Sequence, residues 1–106
     1  VNIARGQVWR VQLATKTRAV LVVESDAALE AFPGTAMCMM IDETRGAPDT
    51  VVTVLIDSPV QGAAVAVDCT SLTARRISAG TLLGTVDDAT MSRVSAALRV
   101  VLDLHD

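Results

Sequence analysis

Aromatic residues are nearly missing from this chain of 106 residues: there is no tyrosine, and Trp9 and Phe32 stand alone. Any core must therefore be packed from Val, Ala and Leu, which supply most of a composition that is 51% hydrophobic. That fraction excludes a disordered chain. Histidine is scarcer still. The one His, His105, lies next to the last residue, where chain ends usually fray. Histidine triads, Cys–His pairs and His-ligated metals are thereby set aside. Cys38 and Cys69 are too few for a disulfide framework. With no CxxC spacing and no neighbouring His, they give no zinc site. Both sit in apolar, strand-like runs, where a free thiol behaves as a small buried hydrophobe. Two reduced core thiols fit a cytosolic protein. No apolar run approaches the ~20 residues that cross a bilayer. The opening "VNIARGQVW" has neither an apolar h-region nor a small-residue cleavage site, so no secretory signal is expected. The length suits a single domain spanning residues 1–106.

What is present is an uneven distribution of charge. The chain is acidic, with net charge −3, yet Arg5, Arg10, Lys16 and Arg18 precede the first acid, Glu24. "QVWRVQL" alternates, with Val8, Arg10 and Gln12 on one side and Trp9, Val11 and Leu13 on the other. A period of two predicts a half-buried strand with Trp9 in the core. After the short link "ATKT", "RAVLVVE" is a second strand. So short a link leaves room only for an antiparallel hairpin. "SDAALEAF" predicts one or two helical turns, N-capped by Ser25 or Asp26 and stopped by Pro33–Gly34.

Further strands are expected in "TAMCMMIDE", "VVTVLID", "AAVAVDC" and the brief "LLGTV", with "TRGAPDT" and "SPVQG" as loop and turn. The methionines of the first of these are read as core thioethers rather than a soft-metal site. At the end, Met91, Val94, Ala97, Leu98, Val101 and Leu102 recur at helical spacing, with Arg93 and Arg99 off the stripe. Asp87 is the natural N-cap there, and Asp88 adds charge that the helix dipole favours. Five or six mostly antiparallel strands, closed or half-closed, plus one substantial helix make an α+β fold with a small barrel.

Taken in order, "RGQVWRVQL", "RAVLVVESDAAL" and "LLGTVDDATMSRVSAALRVVLDL" resemble the MazF/PemK family of toxin–antitoxin ribonucleases over almost the whole chain. The resemblance implies an SH3-like antiparallel barrel with a C-terminal amphipathic helix, acting as a homodimer in the cytoplasm. It also implies cofactor-free, metal-independent cleavage of single-stranded RNA to 2′,3′-cyclic phosphate and 5′-OH ends. The implied partner is a cognate antitoxin with an acidic, disordered tail. Phosphate binding needs local positive charge whatever the net charge of the chain, which gives the basic first segment a use. Without the resemblance, those bases are simply a solvated hairpin guarded against edge pairing.

By the same resemblance Arg18 takes the family's catalytic arginine position. Its fork suits a scissile phosphate and the charge that grows on it. "MMIDE" departs from the family's usual Thr-ended strand: Asp42 stands at the threonine position. Two readings stay open, a general base for the 2′-OH and a plain strand-end residue. Thr44 supplies the hydroxyl if the register moves by two. The third family block is poorly kept as "VDCTSLTARRI", where Asp68 matches an acidic position and Cys69 replaces a glutamine. Arg10, Lys16, Asp68, Thr70 and Arg75 are the candidate RNA-binding residues, with Thr73 and Arg76 beside them. The alternative is a catalytically weakened toxin-fold module that docks antitoxin or RNA without cleaving. A gyrase poison of the CcdB type is ranked below both, because the chain ends Leu104-His105-Asp106.

Overall fold

The computed structural model describes residues 2–44 and 46–104, so His105 lies outside them. Six strands, β1 (Gln7–Gln12), β2 (Thr17–Val22), β3 (Thr35–Asp42), β4 (Thr53–Ile56), β5 (Gly62–Thr73) and β6 (Thr81–Thr85), form one antiparallel sheet. Its order is β4-β5-β3-β2-β1-β6. The helices are α1 (Asp26–Ala31), α2 (Ala74–Ser78) and α3 (Asp88–Leu102). The sheet curls into a half-barrel of the SH3-like kind, which matches the α+β expectation.

Alternation along β1 decides what covers each face. Val8 joins Leu21, Met39, Ile41, Val54 and Ile56 in one cluster, sealed by Val94 and Ala97 of α3. Trp9 and Val11 join Val20, Val22, Cys38 and Met40 in the other, sealed by Leu29 of α1 and Ile77 of α2. Trp9 is core, as its strand face implies, and its indole N–H donates to Gln7 Oε1 at 3.0 Å. Met39 and Met40 are core thioethers, while Met37 is 40% exposed. Cys38 is a free thiol under Ala36 and Leu72, and burial pushes its pKa up to about 12, which leaves it unreactive.

The helix ends follow local chemistry. Ser25 caps α1 and Asp87 caps α3, each side chain accepting a backbone N–H three residues on. Leu102 departs from the expected stripe: it is 59% exposed, because α3 ends there and Asp103 turns left-handed. A helix was also overlooked. α2 begins where Thr73 Oγ1 accepts from Arg76 N at 3.2 Å, and Ile77 pins it to the sheet. Gly80 follows because a Cβ there would sit 2.2 Å from the Arg10 carbonyl oxygen, so only glycine lets α2 lie this close to β1.

Candidate functional site

The β1–β2 hairpin reaches its tight end at Leu13–Lys16, closed by Leu13 N–H donating to Lys16 O at 2.8 Å. Because β2 also pairs with β3, the start of β2 lies beside the end of β3. That adjacency places Lys16, Thr17 and Arg18 around one open cleft of about 350 Å³ with Ile41, Asp42, Glu43 and Thr44. Arg18 is half-buried and makes one long hydrogen bond, Nη2 to Ile41 O at 3.4 Å. It has no ion-pair partner among the described residues. Its charge is therefore available to an anion entering the cleft.

Asp42 and Thr44 form one unit. The carboxylate accepts the Thr44 hydroxyl at 2.6 Å and the Thr44 N–H at 2.9 Å. The same hydroxyl oxygen accepts from Gly46 N at 3.3 Å. These bonds, the Thr44 hydroxyl first, hold the Asp42 carboxyl below its ordinary pKa. It is ionised at neutral pH but weakly basic. The Asp42 carboxylate thus orients the Thr44 hydroxyl.

A second cleft of about 520 Å³ adjoins the first, sharing Thr17. Arg10, Gln12, Thr73, Arg75, Arg76, Ala79, Gly80 and Thr81 complete its lining. Arg10 is held across β2 by Glu43, with guanidinium–carboxylate distances of 2.5 and 3.2 Å. This bond raises the Arg10 pKa above its ordinary value. Of the eight bases among the described residues, five line the two clefts. By contrast, the cavity of about 470 Å³ between α1 and α2 is lined by Asp26 and Glu30 and by no base.

The structure brings together Arg18, Lys16, Asp42 and Thr44 in one cleft, and Arg10 with Arg75 in the other. It does not bring Asp68 or Thr70 to either lining, because both lie farther back along β5. Nor does the whole basic opening segment serve one surface. Arg5 is spent internally: its guanidinium donates to Val23 O and, at 2.8 Å, to Ser95 Oγ, while its backbone N–H donates to Asp26. Sequence reasoning passed over Glu43, Thr17 and Gln12. Register gives the signal for the last two, since Gln12 pairs with Thr17 and their side chains bond at 2.8 Å. No local signal exists for Glu43.

A curled six-stranded sheet with basic clefts at one hairpin is an architecture shared with solved endoribonuclease–antitoxin complexes. The chain aligns with an endoribonuclease from a Mycobacterial species in complex with its cognate antitoxin, at 25% identity over 99% of both chains, with a TM-score of 0.86. Another endoribonuclease structure from a Mycobacterial species aligns at 26% identity over 96% of this chain and 92% of the other, with a TM-score of 0.82. A MazE–MazF complex from Deinococcus radiodurans shares the fold, at 18% identity over 99% of both chains and a TM-score of 0.80. Among curated proteins no sequence matches. The model of the PemK-like, MazF-like toxins of type II toxin–antitoxin systems matches residues 4–102, and the chain belongs to that family.

Proposed function

We propose that this chain is the toxin of a type II toxin–antitoxin pair, an endoribonuclease that cuts single-stranded RNA without a metal. The observation that carries the reading is Arg18. It stands in an open cleft beside Lys16, has no ion pair among the described residues, and faces a carboxylate–hydroxyl pair. Two solved relatives of 25% and 26% identity are named endoribonucleases.

In the proposed step the ribose 2′-oxygen attacks the adjacent phosphorus and the P–O5′ bond breaks. The products are a 2′,3′-cyclic phosphate and a 5′-hydroxyl, the departing 5′-oxygen taking its proton from solvent water in the open cleft. Arg18 grips the phosphate and stabilises the charge that grows on its equatorial oxygens. Asp42 accepts the 2′-OH proton, and Thr44, oriented by Asp42, hydrogen-bonds the reacting group. Lys16, Arg10, Arg75 and Arg76 hold flanking phosphates, and Thr73 lies beside them. Asp68 and Thr70, outside both clefts, are left for a longer RNA that follows β5.

The protein acts in the cytoplasm as a homodimer under the control of an antitoxin whose acidic tail competes for the same bases. Among the described residues no helix is long and apolar enough to cross a membrane. Exposed Leu55, Val67, Val100 and Leu102 supply apolar surface for a second copy. The Mycobacterial relative was solved with its antitoxin. The residues form a single functional domain over 1–106.

The test is incubation of the purified protein with long single-stranded RNA in EDTA, followed by mapping of the 5′ ends. Discrete cuts bearing 5′-OH are expected. Arg18→Ala should slow them about 100-fold, since one donor aimed at developing charge is worth on the order of 3 kcal/mol. Intact RNA, or equal cutting by the variant, would overturn the reading. Tight binding of antitoxin peptide or RNA without any cut would instead favour a binding module, a reading consistent with the weak basicity of Asp42.

A further inference from the structure

The Arg10–Glu43 pair sits where the two clefts meet. Arg10 lines the α2 cleft, Glu43 lines the hairpin cleft, and Thr17 lines both. An RNA strand that passes from Arg18 to Arg75 must cross this junction. The pair is two-pronged, with both guanidinium nitrogens on the two carboxylate oxygens, the geometry in which arginine also takes a phosphate. It is also open to solvent, with the two side chains 35% and 36% exposed. Exposed ion pairs contribute little to folding, so a competing anion can replace the carboxylate without unfolding anything. Glu43 lies, moreover, in the same cleft as Lys16 and Arg18, where its charge repels an incoming phosphate.

We propose that Glu43 is a built-in phosphate surrogate, which holds Arg10 at the junction of the two clefts until an RNA phosphate displaces it. The inference rests on the RNA-cleft reading above and adds a restraint to it. Arg10 is withheld from weak or transient anions and released to a strand that already occupies Arg18 and the α2 arginines. Glu43 is then a positioning residue that acts through Arg10.

The test measures binding of a labelled 20-mer of random sequence, 2′-O-methylated throughout so that it cannot be cut, over a range of salt concentrations. Glu43→Gln should tighten binding about tenfold near 0.1 M salt. It should leave the dependence of log K on log salt nearly unchanged, because Arg10 meets a phosphate in both proteins and only the displacement of Glu43 is spared. The gain should vanish when Arg10→Ala is added, and Glu30→Gln, which removes an acid remote from both clefts, should give no comparable gain. Wild-type binding with no gain from Glu43→Gln would overturn the surrogate role alone. So would a gain that survives Arg10→Ala, or an equal gain from Glu30→Gln, since either would reflect net charge only. Absence of binding by wild type would overturn the RNA-cleft reading and the surrogate role together.

Discussion

Asp42 shows how one side chain can be ionised and still be a poor base. Its carboxylate accepts the hydroxyl and the backbone N–H of Thr44, and those bonds stabilise the charged form. Stabilising the carboxylate lowers its pKa, so the group stays charged as pH falls until the solution is more acidic than roughly pH 4, the ordinary carboxylate value. If Asp42 accepts the 2′-OH proton, the cleavage rate should be flat between about pH 5 and 8, with the acid limb below that range. A limb near neutrality would assign the proton to another group. Asp42→Asn keeps the shape and removes the base. A positioned general base contributes typically 10²–10⁴-fold, and its depressed basicity puts Asp42 at the low end. The expected loss is therefore about 100-fold, with substrate affinity unchanged or slightly improved because a negative charge has gone. Single-turnover rates and oligonucleotide binding separate the two effects. Thr44→Val, which deletes only the hydroxyl, should cost less in rate. It should also move the acid limb upward, since the first cause of the lowered Asp42 pKa has been removed.

At the scale of elements, α2 depends on contacts that no local pattern announces. Five residues cannot form a stable helix alone; Ile77 under the sheet and the bare Cα of Gly80 against β1 hold it in place. Gly80→Ala would drive a methyl group into the Arg10 carbonyl at 2.2 Å, and backbone must shift. Destabilisation of about 1–3 kcal/mol is expected, as for other overpacked sites. Displacement of Arg75 and Arg76 should weaken oligonucleotide binding at the same time. Thermal melts and binding isotherms of one preparation check both outcomes. The contrast with β1, β2 and α3 explains how far the sequence could be read. β1 carries a period of 2 and α3 one of 3.6 with Asp87 as its cap, while β2 is an apolar run tied to β1 by a short link, so their positions follow from neighbouring residues. β5 runs on to Thr73 because β3 pairs with it as far as Thr35, a constraint that lies elsewhere in the chain. The site divides the same way. Arg18 stands out in the sequence through the family resemblance and Lys16 as part of the basic opening segment, and the hairpin brings the two to one cleft. Glu43 does not stand out, since its partner Arg10 is 33 residues away with β2 between them.

For the whole molecule, the acidic net charge and the basic clefts are parts of one field. Arg10, Lys16, Arg18, Arg75 and Arg76 line the two clefts, with Asp42 and Glu43 the acids among them. The other nine acids among the described residues lie outside both linings and repel a polyanion from the remaining surface. On the proposed reading, an RNA strand is thereby drawn to a single region of a molecule that carries net charge −3. Such binding releases counterions, so log K should fall linearly with log salt, by roughly 0.7 for each phosphate neutralised on a single strand. Five engaged bases set a limiting slope of about −3.5. Replacement of both Arg75 and Arg76 by alanine should reduce that slope by about 1.4 if the strand extends from the hairpin cleft over α2. The same double variant should leave the single-turnover cleavage rate at saturating RNA nearly unchanged, because neither arginine lines the cleft that holds Arg18 and Asp42. Fluorescence anisotropy across a salt series gives the slope, and quenched-flow cleavage gives the rate. An unaltered slope would place the strand on some other path out of the hairpin cleft. A large loss of the saturated rate would mean that the arginine pair also shapes the reacting phosphate.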